Sequence, residues 1–150
     1  MTNILTYFVF AKVEDARPKT EEPILLMFKT LIMKFKFEKL KIWQMSMDFG
    51  EEMNSVSNGF PQYEIYNLSS QLRRASDSIA LNIAEGSIGQ SNPEQNRFIG
   101  YAIRSLAEVI TCLHKAKRRH YFKEKKFEEY YKTSFHLMNM LLAFRKTLSD

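Results

Sequence analysis

The chain has 150 residues, with five glycines, four prolines, one cysteine and a formal net charge of +5. That length suits one domain burying roughly two-thirds of its unfolded surface; so few punctuating residues disfavour a many-stranded fold, and a lone cysteine excludes an intramolecular disulfide and suits a reducing cytoplasm. The charge is unevenly spread: residues 1–32 hold four Lys/Arg and four Asp/Glu, whereas 104–126 hold eight Lys/Arg against Glu108 and Glu124, a local +6.

The first thirty-six residues read as an N-terminal extension. ILTYFVF is a short apolar run without a basic region before it or a small-residue cleavage site, a poor match to a signal peptide. KVEDARPKTEEP has the composition of a linker. ILLMFKTLIMKFKF is interrupted by Lys29, Lys34 and Lys36 and is too short to span a bilayer. It reads either as an amphipathic segment docking on the rest of the protein or on a membrane surface, or as codons ahead of a true start at Met33. The second reading is the simpler, because the helical pattern is complete from Phe37 onward.

A first helix is predicted over 37–57. Leu40, Trp43 and Met47 form one apolar row, and Ile42, Met45, Phe49, Met53 and Val56 a second. Asn58-Gly59 ends it, and Pro61 suits a helical first turn, so a second helix can begin before Tyr66. In LSSQLRRASDSIALNIAEG, over 68–86, Leu68, Leu72, Ala75, Ile79 and Ile83 share one side. Beside them runs a polar line, Gln71, Arg74, Ser78, Asn82 and Glu85, only about 80° wide on the helical wheel. Leu81 lies beyond it, so this line is not plain solvent face. Gly86 is expected to stop the helix with a positive φ.

After the turn residues SIGQSN, Ser91 or Asn92 can cap a third helix, with Pro93 and Glu94 favoured in its first turn. Phe98, Ala102, Leu106, Val109, Leu113 and Ala116 form its core stripe. Arg97, Tyr101, Arg104, Glu108, Thr111 and Lys115 form a second polar line. It ends near His120, where Lys115, Lys117, Arg118 and Arg119 complement the negative end of its dipole. A fourth helix is predicted over 124–148, with Phe127, Tyr131, Met138, Leu141 and Leu142 in the core and Phe135 and Phe144 widening the apolar surface. Four long helices joined by short loops predict an all-α, up-down-up-down antiparallel four-helix bundle over 37–150.

The run QLRRASDSIALNIAEG, followed by SLAE, with FEKLKIWQ and the FP pair at Phe60–Pro61, resembles the four-helix bundle family of bacterial 23S rRNA intervening sequences. The resemblance covers 37–148 and departs from the family in carrying Arg104-Ser105 where Gly-Ser is usual. It implies a small helical protein assembling as a ring-like homopentamer, with no established enzymatic activity. A remoter similarity, to the accessory variability determinant of diversity-generating retroelements, implies binding of nucleic acid and of a reverse transcriptase.

No catalytic centre can be assembled from the residues. Cys112 and His114 are two apart and diverge on a helix, and the thiol reads as a small buried hydrophobe. His114, His120 and His136 offer no metal-ligand spacing, and no phosphate-binding loop or nucleophile motif is present. No metal, cofactor or membrane partner is therefore expected. Gln71, Arg74, Ser78, Asn82, Glu85 and Glu108 read as a polar network that fixes helix register or joins subunits, with Arg104 a candidate partner of Glu85. The segment HKAKRRHYFKEKK is the direct candidate for function. Arg104, Lys115, Lys117, Arg118, Arg119, Lys123, Lys125 and Lys126 would neutralise phosphates of RNA or DNA, and Tyr121 and Phe122 would stack on unpaired bases. In a fivefold ring this basic end becomes a rim. The alternative is a protein-interaction scaffold whose charge serves solubility.

Overall fold

Four helices are packed in sequence order, each against the next, and the first also touches the last: α1 (Lys41–Asn58), α2 (Leu68–Ser87), α3 (Asn92–Arg118) and α4 (Glu124–Thr147). The computed structural model describes residues 34–89 and 91–148, so the readings placed on residues 1–33 lie outside the described residues. Phe35–Asp150 makes one compact unit. Among the described residues there is no strand, and no helix is long and apolar enough to cross a membrane.

The connections are short because the helices they join are neighbours. Residues 59–67 carry a single 3₁₀ turn, Gln62–Glu64; the connections after Ser87 and after Arg118 are shorter. Alternation of direction puts the α1–α2 connection and the α3–α4 turn at the same end. The α2–α3 turn and the C-terminus of α4 share the other, where Arg145 Nε donates to Asn96 Oδ1 over 3.0 Å.

The core follows the predicted rows on α2 and α3. Leu72, Ile79 and Ile83 of α2 and Ala102, Leu106, Val109, Leu113 and Ala116 of α3 are completely or almost completely buried. Ile99 and Cys112 join them. Small residues let α1 and α2 approach closely: Ser46, Gly50 and Ser57 of α1 and Ser69, Ser76 and Ala80 of α2 are buried, and Ser69 Oγ donates to the Ser57 carbonyl at 3.1 Å.

Three expectations are corrected. Gly86 does not end α2 with a positive φ; it lies inside the helix, which runs to Ser87, and the glycine with positive φ is Gly89, at 63°. Gly86 is required instead by approach. A Cβ there would sit 2.7 Å from Phe98 Cβ, on the facing helix. Met47 is 42% exposed rather than in the core, because its row on α1 faces an open groove. On α4 the buried line is Phe127, Ser134, Leu137 and Leu141, whereas Tyr131, Phe135 and Leu142 form a second stripe that stays 43–60% exposed. At the Arg104-Ser105 departure Arg104 is exposed, while Ser105 is buried and its hydroxyl meets Ser78 Oγ across the α2–α3 seam at 3.0 Å.

Candidate functional site

The end of the bundle carrying the α3–α4 turn is organised by a residue that periodicity does not single out. Glu64 closes the 3₁₀ turn between α1 and α2 and is buried. Its Oε2 accepts from the backbone N–H of Leu68 at 3.2 Å, satisfying one of the orphan donors at the start of α2. Its Oε1 accepts from the Tyr121 hydroxyl at 2.6 Å and from Arg119 Nη1 at 2.5 Å. Tyr121 and Tyr63 share a further bond, hydroxyl to hydroxyl, at 3.0 Å. The Tyr121 bond first, then Leu68 N–H and Arg119, hold the Glu64 carboxyl below its ordinary pKa although burial pushes the other way. Burial first, and then the bond to Glu64, raises that of the Tyr121 phenol.

The α3–α4 turn is itself tightly made. His120 takes φ 59°, Tyr121 N donates to the Ala116 carbonyl at 3.0 Å and His120 N to Lys117 O at 2.9 Å. These are the paired bonds of a Schellman ending, with histidine where glycine is commonest. Phe60 packs on Tyr121 with ring centroids 5.2 Å apart, and Phe122 lies against Phe127 and Tyr130 at 6.4 and 5.9 Å. The turn is therefore held from inside by aromatic rings and from the side by Glu64.

Around it the structure gathers six of the eight predicted cations: Lys117, Arg118, Arg119, Lys123, Lys125 and Lys126. Three are engaged by carboxylates: Arg119 by Glu64, Lys117 by Glu124 at 2.6 Å and Lys126 by Glu129 at 2.7 Å. Arg118, Lys123 and Lys125 are exposed and have no ion pair among the described residues. Of the other two, Lys115 is in the last turn of α3 and Arg104 is not at this end. Arg104 lies about four turns up α3, about 20 Å from Arg118 by helical rise, and its guanidinium sits 5.6 Å from the Tyr101 ring centroid, which Arg97 also approaches at 5.9 Å. Lys115 lines a shallow polar depression with Arg104, Gln71 and Glu108.

The polar line of α2 meets α3 in part. Gln71 Nε2 donates to Glu108 Oε2 at 2.9 Å and Arg74 Nη2 to Gln71 Oε1 at 3.1 Å. Asn82 Nδ2 donates to the Ser78 carbonyl and hydroxyl at 2.7 and 3.0 Å. Glu85 stays outside this network: it is exposed, and neither Arg104 nor any other described residue pairs with it. Cys112 is buried, which pushes its thiol pKa up. His114 packs edge-on to Phe127 and Tyr131, at 5.0 and 5.8 Å. Among the described residues no His, Cys, Asp and Glu cluster could hold a metal ion.

Sequence reasoning located the cations and missed Glu64. In FPQYEIYN a single acidic residue stands in a connection with no periodicity to mark it. The one legible signal was its position four residues before Leu68, where a carboxylate can reach the free N–H groups of a helix start.

The family model described as 23S rRNA-intervening sequence protein matches residues 38–143. No curated protein matches the chain. Among solved structures, a crystal structure of a protein with unknown function from the S23 ribosomal protein family of Bacteroides thetaiotaomicron VPI-5482 is similar with a TM-score of 0.65 and 20% identity, covering 70% of this chain and 95% of that one. At that identity the likeness speaks for the fold.

Proposed function

Because the chain belongs to the 23S rRNA-intervening sequence protein family, we propose that it is a non-enzymatic homo-oligomer that binds nucleic acid, structured RNA foremost, through the basic end of its bundle. The observation that carries this reading is the α3–α4 turn. Arg118, Lys123 and Lys125 project without a salt bridge from a turn that Glu64, Phe60 and Tyr121 hold in one conformation, Lys125 feeling the Glu129 charge only at longer range. Cations fixed in place lose little freedom on meeting phosphates, and repetition around a ring multiplies their field.

Two unlike apolar faces support self-association. One is a groove of ≈ 510 Å³ between α1 and α2, lined by Phe37, Trp43, Met47 and Leu81. The other is the exposed stripe of Tyr131, Phe135 and Leu142 on α4. Contact between two different patches is head-to-tail and closes into a ring when the rotation allows, which suits the family's pentamer. The second reading, a scaffold for another protein, is favoured by the same groove if no copy of this chain fills it, and by the pairing of three cations within the chain.

Fluorescence anisotropy with labelled RNA and DNA at several salt concentrations tests the proposal. Each phosphate neutralised contributes about 0.9 to the log–log salt slope on duplex DNA and about 0.7 on single strands. Replacing Arg118, Lys123 and Lys125 by Ala is expected to flatten the slope and weaken binding across sequences while the helical circular dichroism stays unchanged. Absence of binding by the wild-type protein at low salt rejects the nucleic-acid reading in favour of the scaffold, and identical binding by both proteins removes the basic turn as the contact.

A further inference from the structure

Beside the basic turn, the C-terminal half of α1 and the N-terminal half of α4 leave a groove of ≈ 420 Å³, lined chiefly by Glu52, Ser55, Phe60, Tyr121, Phe122 and Tyr130. Its volume is within the range of small-molecule sites, roughly 300–1,000 Å³. Two properties separate it from an ordinary surface dent. Its walls are aromatic: Phe60 is buried, and Tyr121, Phe122 and Tyr130 are half-buried and braced against one another. Its polar groups are free of hydrogen bonds. The Glu52 carboxylate, the Ser55 hydroxyl and the Tyr130 hydroxyl have no hydrogen bond or ion pair among the described residues, and the Glu52 charge acts only at longer range on Lys126 and Tyr130. Cations stand at its mouth, with Lys126 Nζ 5.8 Å from the Tyr130 ring centroid and Lys123 next to Phe122 in the chain.

An aromatic slot with an unspent acceptor and a cationic mouth matches one chemistry, a flat heterocycle that carries N–H donors on its edge and a phosphate beyond it. We propose that this groove takes an unpaired base of a single-stranded nucleic acid, with guanine preferred over uracil. The ring stacks on the face of Tyr130, and Phe122, whose ring stands at 80° to that of Tyr130, meets the base edge-on. Guanine offers two parallel donors, N1–H and N2–H, to the two oxygens of Glu52, whereas uracil offers one. The adjoining phosphate falls toward Lys123, with Lys126 beside it already engaged by Glu129. A carboxylate weakens phosphate attraction generally, so Glu52 makes sense in a base slot and not in a phosphate patch. The inference rests on the nucleic-acid reading above and adds to it a strand state and a base class, which the cations alone do not distinguish.

The test uses the full chain and three labelled probes: oligo(U), the same strand with guanosines at intervals, and an RNA duplex. The guanosine-bearing strand is expected to bind more tightly than oligo(U). Tyr130→Ala is expected to lose roughly 5- to 150-fold on single strands, the cost of one stacked base, while duplex binding is unchanged, and Tyr130→Phe is expected to keep most of the single-strand affinity. Glu52→Gln, at an exposed position that does not threaten folding, is expected to bring the guanosine-to-uridine preference toward one even where overall affinity rises. Equal binding of the two single strands by the wild-type protein, or an unchanged preference in Glu52→Gln, overturns the base slot and leaves the basic turn standing. Failure of the wild-type protein to bind any of the three probes overturns both.

Discussion

A carboxylate withdrawn from water needs donors, and Glu64 takes three: a backbone N–H, a phenol and a guanidinium. Removing its charge leaves the partly exposed Arg119 facing a neutral, buried group. Glu64→Gln is expected to cost about 1–3 kcal/mol of stability by chemical denaturation. The pH dependence has a definite sign. The folded pKa is lowered from 4.5, so the stabilisation is complete above the ordinary carboxylate value and drains away as pH falls through the folded one. Stability measured from neutral pH downward should therefore decline below about pH 4.5 in the wild type, with a shallower decline in Glu64→Gln. Parallel declines would show that Glu64 does not contribute. The exposed Glu85 has no such role within one chain, although its place in the polar line of α2 made it the network candidate in the sequence.

Among the elements, α2 and α3 set the tightest tolerance, and Gly86 shows how tight. Ala there gains about 1 kcal/mol of helix propensity but places its methyl against Phe98 Cβ, an atom close to the backbone and unable to swing aside. Overpacking of that kind costs about 1–3 kcal/mol. Gly86→Ala is expected to be destabilising on balance by urea unfolding, and a stabilised variant would show that α3 yields freely. The same glycine explains a limit of sequence reading. Glycine near the end of a helical pattern serves either as a terminator or as a place of close contact, and only the position of Phe98 decides. The rows on α2 and α3 were legible because each has one apolar side, and every residue between Leu72 and Ala116 predicted for their core is buried apart from the half-buried Phe98. The α4 pattern was less so. With Tyr130, Tyr131, Ser134, Phe135, Leu137, Met138, Leu141 and Leu142 spread over about 160° of the helical wheel, periodicity cannot say which stripe faces inward. The buried one carries Ser134, a polar residue whose hydroxyl is satisfied by the Tyr130 carbonyl at 2.8 Å.

At the scale of the whole molecule, apolar surface left open by the fold is the feature that one chain does not account for. Leu81 is 59% exposed and Met47 42%, and both line the α1–α2 groove. If that groove receives another copy, Met47→Glu with Leu81→Glu should abolish assembly with little effect on the fold, since exposed substitutions usually change stability by no more than about 0.5 kcal/mol. Analytical ultracentrifugation reads the mass and circular dichroism the helix content. A variant that sediments as the wild type does would move the interface elsewhere, and a wild-type monomer would remove the ring from the proposal. The bundle as a whole was readable because loops and helix rows are local. Grooves were not, because they are made by residues from two helices whose outward faces the sequence does not bring together.

The Glu64 clamp also bears on the order in which the molecule is built. Its partners Arg119 and Tyr121 lie 55 and 57 positions along the chain, so the bonds close a loop containing all of α2 and most or all of α3. Closing so long a loop in an unfolded chain is entropically unfavourable, and the neighbouring helices must first zip together through their short connections before the ends meet. The basic turn is thus expected to take its final form after the α2–α3 hairpin does. A nascent or damaged chain carries the same cations without their fixed arrangement, and ordered presentation of charge becomes a property of completed folding rather than of composition.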